Sequence, residues 1–495
     1  MLTVQERAAT RLVAPRPGHR VAVSGWGVPH LVAVALVLGA AVFCLAPPSD
    51  PDVWWHLRAG DLIRDTHALP DADPWSLGAA GREWVAHSWL AEVLLSLLHS
   101  ALGLKGLVLF RAVAVGALLA ALAVQAFRRT TPARALLVLA LAVLATKGGW
   151  GERPQLLSFL LLIPTAQLVR SAVAGARSVW WVVPITYLWA NLHGLWFLAP
   201  VLVALGALGA WTAEPAAAGV RVRALRARPF VLAAAAAAAA AALTPNGPVL
   251  LAQPFRVNGY AQFVSEWGPV DVHSVWGIGF FGMVLAFVWA YGKGSRPLGA
   301  YELTSVSFAI GLGLLYTRTV APAAVLLVPL LAEALGRMPA PRRSGTFPPA
   351  FSAIALGTLL LLGTAGATVV LTQQPDLPPA APVAATDALV DAVDGTPRVL
   401  NEYALGGWLL HFAPGARPAI DGRAEIYPVD FVADYLHAIR MVGDWEHTVE
   451  QLRPNSALLH PDTPLVNGLR DQLGWQVAYE DADWVVLVPP DATRP

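Results

Sequence analysis

Residues 89–102 read WLAEVLLSLLHSAL, and the topology of everything downstream depends on whether they cross a membrane. At 1.5 Å per residue the segment makes a helix of about 21 Å, well short of a hydrocarbon core of about 30 Å. It also carries Glu92 and His99. The spacing predicts an amphipathic helix lying at the membrane surface. The distribution of basic residues tests this choice, because cytoplasmic connections collect Lys and Arg. With 89–102 left out of the spans, one set of connections holds Arg7, Arg11, Arg16 and Arg20, then Arg128, Arg129 and Arg134, then Arg170 and Arg177. The same set continues with Arg221, Arg223, Arg226 and Arg228, then Lys293 and Arg296, then Arg337, Arg342 and Arg343. The alternate connections hold only scattered basic residues. Counting 89–102 as a span would put the arginine clusters outside. The expected topology therefore has a cytoplasmic N-terminus and an extracytoplasmic C-terminus.

Working outward from that segment, apolar runs long enough to span lie near 28–46, 104–127, 134–149, 155–170, 179–194, 195–212, 229–243, 275–291, 299–316, 319–336 and 350–371, about eleven helices. The first follows four arginines and leads into Pro47-Pro48-Ser49-Asp50, which lacks the small-residue pattern of a cleavage site, so it reads as a retained helix. Composition agrees. Of 495 residues, 56% are hydrophobic and 14% charged, and the mean hydropathy is +0.54. Soluble domains carry roughly 25% charged residues. A net charge of +1 gives no electrostatic basis for nucleic-acid binding. Cys44, the single cysteine, excludes an intramolecular disulfide and reads as a small buried hydrophobe.

The expected organisation is a cytoplasmic tail over 1–27, a transmembrane domain over 28–372 with a long first outer loop at 47–103, a linker at 373–384 containing Pro375, Pro378, Pro379 and Pro382, and a tail domain over 385–495. In the tail domain, strands are predicted at 397–400, 417–421, 456–460, 475–480 and 483–488. Helices are predicted near 385–394, 430–452 and 463–473, giving a small extracytoplasmic α/β domain.

Polar residues gather at the outer ends of the spans. The first outer loop opens Asp50-Pro51-Asp52-Val53-Trp54-Trp55-His56-Leu57. Pro51 favours an extended Asp50, and residues two apart on an extended chain share a side. Asp50 and Asp52 can then share a divalent cation, an acceptor hydroxyl or a proton, and neighbouring carboxylates raise one pKa as a general base requires. The loop adds His87 and Glu92 among tryptophans, a composition shared by sugar-binding surfaces and by membrane-interface belts. Other outer ends supply Glu152-Arg153-Pro154-Gln155, Asn191-Leu192-His193-Gly194, Glu266-Trp267 and Thr317-Arg318-Thr319. Arg153 and Arg318 lie at the level of a lipid phosphate, the natural partner of a guanidinium. In the tail, Asp421-Gly422-Arg423 closes a predicted strand, either as a binding turn or as a local ion pair.

These motifs carry a resemblance. Asp50-x-Asp52-x-Trp54-Trp55-His56-Leu57, Trp84, His87, Trp89-Leu90-x-Glu92, Arg153-Pro154-Gln155, Asn191-x-His193-Gly194, and Gly406-Gly407 through Asp421-Gly422-Arg423 resemble a group of bacterial polytopic membrane proteins over nearly the whole chain. That group is similar in turn to the GT-C superfamily of membrane glycosyltransferases. The resemblance implies a GT-C-like helical bundle in the bacterial cytoplasmic membrane. It implies transfer of a sugar from a polyprenyl-phosphate carrier to a glycan, lipid or protein acceptor on the outer face, with inversion. Asp50 or Asp52 would be the base, and Arg153 or Arg318 would stabilise the departing phosphate, with Asn191 and His193 on the donor side. Mg or Mn could sit on Asp50 and Asp52 with His56 or Glu266. Trp55, His87, Glu92, Gln155, Asp421 and Arg423 complete the candidates. Two other classes compete: a transporter or flippase for envelope glycans, and a non-catalytic assembly protein. Transporters place polar groups near the bilayer midplane within internal repeats; here they cluster at span ends and no repeat is evident.

Overall fold

The computed structural model describes residues 26–213, 217, 219–256, 260, 262–294, 298–339, 345–373 and 376–490. Arg7, Arg11, Arg16, Arg20, Arg296, Arg342, Arg343 and Pro375, used above for topology and linker, lie outside the described residues.

The helical part runs α1 (Val28–Phe43), α2 (Asp52–Thr66), α3 (Trp89–Leu102), α4 (Leu104–Phe127), α5 (Pro132–Thr146), α6 (Gln155–Val173) and α7 (Val182–Leu192). It continues with α8 (Leu198–Ala213), α9 (Gly219–Ala242), α10 (Gln253–Arg256), α11 (Val275–Lys293), α12 (Ala300–Leu315), α13 (Val320–Gly336) and α14 (Pro349–Gln373). All the predicted spans are helical. Among the described residues eight, counting short leading or trailing turns, are long and apolar enough to cross a membrane: α4, α5, α6, α8, α9, α11, α13 and α14. α1, α7 and α12 are helical but shorter than that measure.

The span predicted at 229–243 begins ten residues earlier, since α9 starts at Gly219. Arg221, Arg223, Arg226 and Arg228 therefore ride on its first turns rather than on a connection. Arginine and alanine are good helix formers, so the helix extends past its apolar part.

α13 is the axis of the bundle. Its contact face is built from Ala321, Ala323, Ala324, Val325 and Val328, all buried, and it packs on α4, α5, α6, α11 and α12. Small side chains allow this close approach. α14 is the opposite case: only Ser352 along it is buried, and it leans on α1. An all-round apolar surface of that kind suits lipid.

α3 covers residues 89–102, the segment too short to span. Ala91, Glu92, Leu95 and Ser96 face inward, and Leu94, Leu97 and Leu102 are exposed. With α2 it forms a platform at one end of the bundle, and the tail domain sits on this platform through α16 (Gly406–Phe412), which packs on α2. The rest of the tail is α15 (Val383–Asp391), α17 (Val429–Ile439), α18 (Trp445–Leu452) and α19 (Pro464–Asn467) around five strands: β1 (Arg398–Asn401), β2 (Arg417–Pro418), β3 (Ser456–Leu459), β4 (Gln476–Glu480) and β5 (Val485–Val488).

The strand order is β2-β1-β3-β5-β4. β1 pairs in parallel with β2 and β3, while β3–β5 and β5–β4 are antiparallel. β3 and β5 are wholly buried, and the edge strand β4 is exposed. All five predicted strands exist, although β2 pairs over only two residues. The helix predicted at 430–452 is two, broken where Met441 and Gly443 take positive φ. The first loop is stitched to the tail: the N–H groups of Leu77 and Gly78 donate to the carbonyls of Pro418 and Ala419 at 2.8 and 3.1 Å.

Candidate functional site

Asp50 and Asp52 do not lie on an extended strand. Pro51 is helical (φ −64°, ψ −24°) and Asp52 is the first residue of α2. Proline's fixed φ suits a helix start, and a carboxylate there meets the positive end of the helix dipole. Asp50 Oδ1 accepts the Asp52 N–H at 3.1 Å. The two carboxylates still converge, because both face Arg153.

Arg153, in the turn before α6, has every guanidinium nitrogen against a carboxylate. Nε lies 2.6 Å from Asp50 Oδ2, Nη2 3.2 Å from Asp52 Oδ2, and Nη1 3.0 Å from Glu266 Oε2. Gly151 makes this possible, since a Cβ there would fall on the Asp50 carboxylate. Three carboxylates around one guanidinium leave negative charge in excess. Burial first, and then Asp50 and Glu266, push the Asp52 carboxyl up to about 7 against the pull of Arg153. Burial by itself would weaken Arg153's hold on its proton, but Asp52, Asp50 and Glu266 outweigh it and raise the Arg153 pKa.

Arg318 stands in the turn before α13 with its guanidinium 4.8 Å from the centre of the Trp267 ring. It has no ion pair among the described residues. Arg318 and Glu266 border a cavity of about 390 Å³ that continues along Gln155, Trp276 and Ala321.

His193 closes another side. Its Nδ1 accepts the Leu195 N–H at 3.2 Å, so Nε2 carries the ring proton. Ser158 Oγ lies 2.9 Å from the same Nδ1 and itself accepts from Trp189 Nε1 at 2.7 Å. Burial, then the charges of Arg318, His87 and Arg153, hold His193 well below its ordinary pKa, which keeps it neutral.

The tail domain forms the roof. Glu425 Oε1 is 3.9 Å from His87 Nδ1. Tyr403 donates to the Gly422 carbonyl at 3.1 Å. A Cβ at Gly422 would fall on the Asp52 carboxylate beside Trp55 Nε1, so only glycine lets the tail come this close. Burial, followed by Asp52, Glu425 and Asp421, keeps the Tyr403 hydroxyl protonated well above its usual range.

The apo oligosaccharyltransferase of Archaeoglobus fulgidus superposes with a TM-score of 0.51 at 12% identity, covering 88% of this chain and 69% of its own. ArnT from Cupriavidus metallidurans in the apo state superposes with a TM-score of 0.50 at 16% identity, covering 94% and 99%. The fold is that of the GT-C membrane glycosyltransferases. No family model and no curated sequence matches the chain.

Within this GT-C fold, Asp50, Asp52, Arg153, Glu266, Arg318, His193 and His87 come to one region, and Trp55 borders it. Gln155 lines the adjoining cavity, while Asp421, Arg423, Glu92, His56 and Asn191 do not reach the region. Arg423 is fully buried in the seam between loop and tail, paired with Asp421 at 2.5 Å and Asp73 at 2.9 Å. It is stacked 4.8 and 4.5 Å from the Trp75 and Trp84 rings. Of the two readings of Asp421-Gly422-Arg423, the local ion pair is the one present.

Glu92 and His56 form a sealed pair at 3.1 Å. Burial lifts Glu92 to about 8 and pushes His56 well below its usual range, so both are neutral. Asn191 accepts from Trp89 Nε1 at 2.8 Å and donates to the Tyr187 carbonyl at 2.7 Å, which ties α7 to α3. Gln155 donates to the Gly149 carbonyl at 3.4 Å at the cavity wall. Glu425 and Tyr403, which also reach this region, were not among the site candidates.

The acids do not fit Mg or Mn as arranged. Arg153 occupies the point between Asp50, Asp52 and Glu266 where a cation would bind. His56 is committed to Glu92, and among the described residues no three His, Cys, Asp or Glu side chains are grouped as metal ligands.

Proposed function

We propose that this integral membrane protein is an inverting glycosyltransferase that moves a sugar from a polyprenyl-phosphate carrier to a cell-envelope acceptor. The site faces away from the cytoplasm. The observation that carries this reading is Asp52. It is a partly exposed carboxyl held near 7, in a cluster whose other members fix its position and charge, and one of them, Glu266, borders a cavity together with Arg318, which has no ion pair among the described residues.

The acceptor oxygen attacks the anomeric carbon from the Asp52 side. The bond from that carbon to the phosphate oxygen breaks, and polyprenyl phosphate leaves with the electron pair. The acceptor's proton passes to Asp52. Arg318 meets the charge on the departing phosphate, and neutral His193 donates from Nε2. Arg153 is not free for that task, since each of its nitrogens holds a carboxylate; it clamps the acids instead. The arginine distribution along the chain supports the orientation. The gathering of polar groups at one end, rather than at the midplane, weighs against transport.

The test uses purified protein in lipid nanodiscs, labelled polyprenyl-phosphate sugars and an envelope acceptor fraction, run with Mg, with Mn and with a chelator. Wild type should transfer from at least one donor, and Asp52→Asn should lose about 10²-fold or more of that rate. Asp50→Asn should lose less. Transfer that survives both substitutions removes Asp52 as base. A wild type silent with every donor moves the weight to an assembly role.

A further inference from the structure

Behind the site lies a second ion pair that the mechanism above does not use. Arg111 on α4 is 6% exposed, and Glu152, in the turn between α5 and α6, is fully buried. A buried ion pair rarely repays its desolvation, and an apolar pair of similar volume often serves stability as well. Its connections suggest another purpose. Arg111 Nη1 contacts Glu152, while Nε donates to the Cys44 carbonyl at 2.8 Å and Nη2 to the Ala46 carbonyl at 2.5 Å. Those carbonyls lie just past the end of α1, immediately before the segment that carries Asp50. Glu152 directly precedes Arg153, whose Nε lies 2.6 Å from Asp50 Oδ2. One guanidinium thus grips both chain segments from which the Asp50–Arg153 contact is built.

We infer that Arg111 and Glu152 are positioning residues that set the clamp of Asp50, Arg153 and Asp52, so that their loss lowers turnover while leaving donor binding in place. The kinetic half of this inference rests on the reading of the site as a glycosyltransferase centre; the structural half does not. Neither residue borders the cavity, so neither is expected to contribute to ground-state binding. A misplacement on the order of 1 Å costs a reaction about 10²-fold.

The experiment compares wild type, the near-isosteric neutral double variant Arg111→Met/Glu152→Gln, and Arg111→Lys, in nanodiscs. It has two readouts: the split between kcat and KM for the donor, and the cryo-EM distance from Arg153 to Asp50. The double variant should lose about 10- to 100-fold in kcat with KM within about twofold of wild type. Its Arg153–Asp50 contact should open beyond hydrogen-bond reach, about 3.2 Å. Arg111→Lys, which keeps the charge but not the fork, should fall between the two. An unmoved clamp in both variants, or a loss confined to KM, overturns the inference. If wild type transfers nothing, the glycosyltransferase reading has failed, and the distance alone decides whether the pair positions the clamp.

Discussion

At one end of the helix bundle a single guanidinium, Arg153, faces three carboxylates; at the other a single carboxylate, Glu333, faces two guanidiniums. Arg170 grips Glu333 through both Nη atoms at 2.6 Å, and Arg129 Nε reaches it at 3.2 Å. This second knot ties α4, α6 and α13 together, and Arg337 and Glu302 make a further pair beside it at 2.5 Å. The difference lies in what the surplus charge can do. Surplus arginine stays charged at any physiological pH, so the Glu333 knot is a fastener. Surplus carboxylate can shed its excess by taking up a proton, so the Arg153 cluster holds an acid near neutrality, where a base is useful.

That contrast can be broken in several ways. The largest effect is expected at Asp52: Asn should cost transfer about 10²- to 10⁴-fold, with little change in thermal midpoint. Glu333→Gln should do the reverse. It strands two arginines and should cost about 1–3 kcal/mol of stability, less than a fully buried pair because these groups are part-exposed, while the per-molecule rate of folded protein stays within about twofold. A thermal melt beside a rate measurement reads both. If Glu333→Gln abolishes transfer in folded protein, the two ends are not separate in function.

Smaller effects follow from charge. Asp52 acts as base when ionised, so the rate should rise with pH through about 7. Glu266 is one of the charges that hold Asp52 up, so Glu266→Gln should move that rise to lower pH, and a pH–rate profile would show it. A rise at unchanged pH would mean that Glu266 does not act on Asp52.

The smallest expected effect is at Glu92, whose carboxyl is raised from the ordinary 4.5 to about 8 in the folded protein. Between these values the folded state holds a proton that the unfolded state releases, so stability falls as pH rises toward 8. His56 and His193, held low by burial, act in the opposite sense, but only up to their ordinary 6.5. From pH 6.5 to 8 the thermal midpoint should therefore decline, and Glu92→Gln should flatten the decline. A midpoint that rises over that range would contradict the Glu92 shift.

Much of this architecture was legible along the chain because lipid and sheet impose local patterns. Apolar runs marked every spanning helix, and 89–102 was recognisable by its length and its two polar residues, whereas α2 and α10 carried no such run. The clustering of Asp50, Asp52, Arg153, His193 and Arg318 could be foreseen because each stands at the same end of a span. Roles were harder to foresee. Arg153 reads as a phosphate ligand until Glu266, far along the chain, is seen to occupy it together with the two aspartates. Asp421 and Arg423 read as a possible binding turn until Asp73, Trp75 and Trp84 enclose them. Glu425 and Tyr403 gave no signal of their own, because nothing local shows that the tail folds back over α2.

The sequence by itself determined the solvent, the order of the spanning helices and of the five strands, and the end of the bundle where polar groups gather. Those follow from hydropathy, periodicity and the sidedness of arginine, which act residue by residue. Only the tertiary structure decided which charges meet. Ionisation depends on burial and on neighbours a few ångströms away, and here those neighbours come from α2, the turn before α6, the segment around Glu266 and the tail domain. Their contacts are fixed by packing between distant segments, so the state of Asp52 belongs to the folded molecule rather than to the motif that contains it.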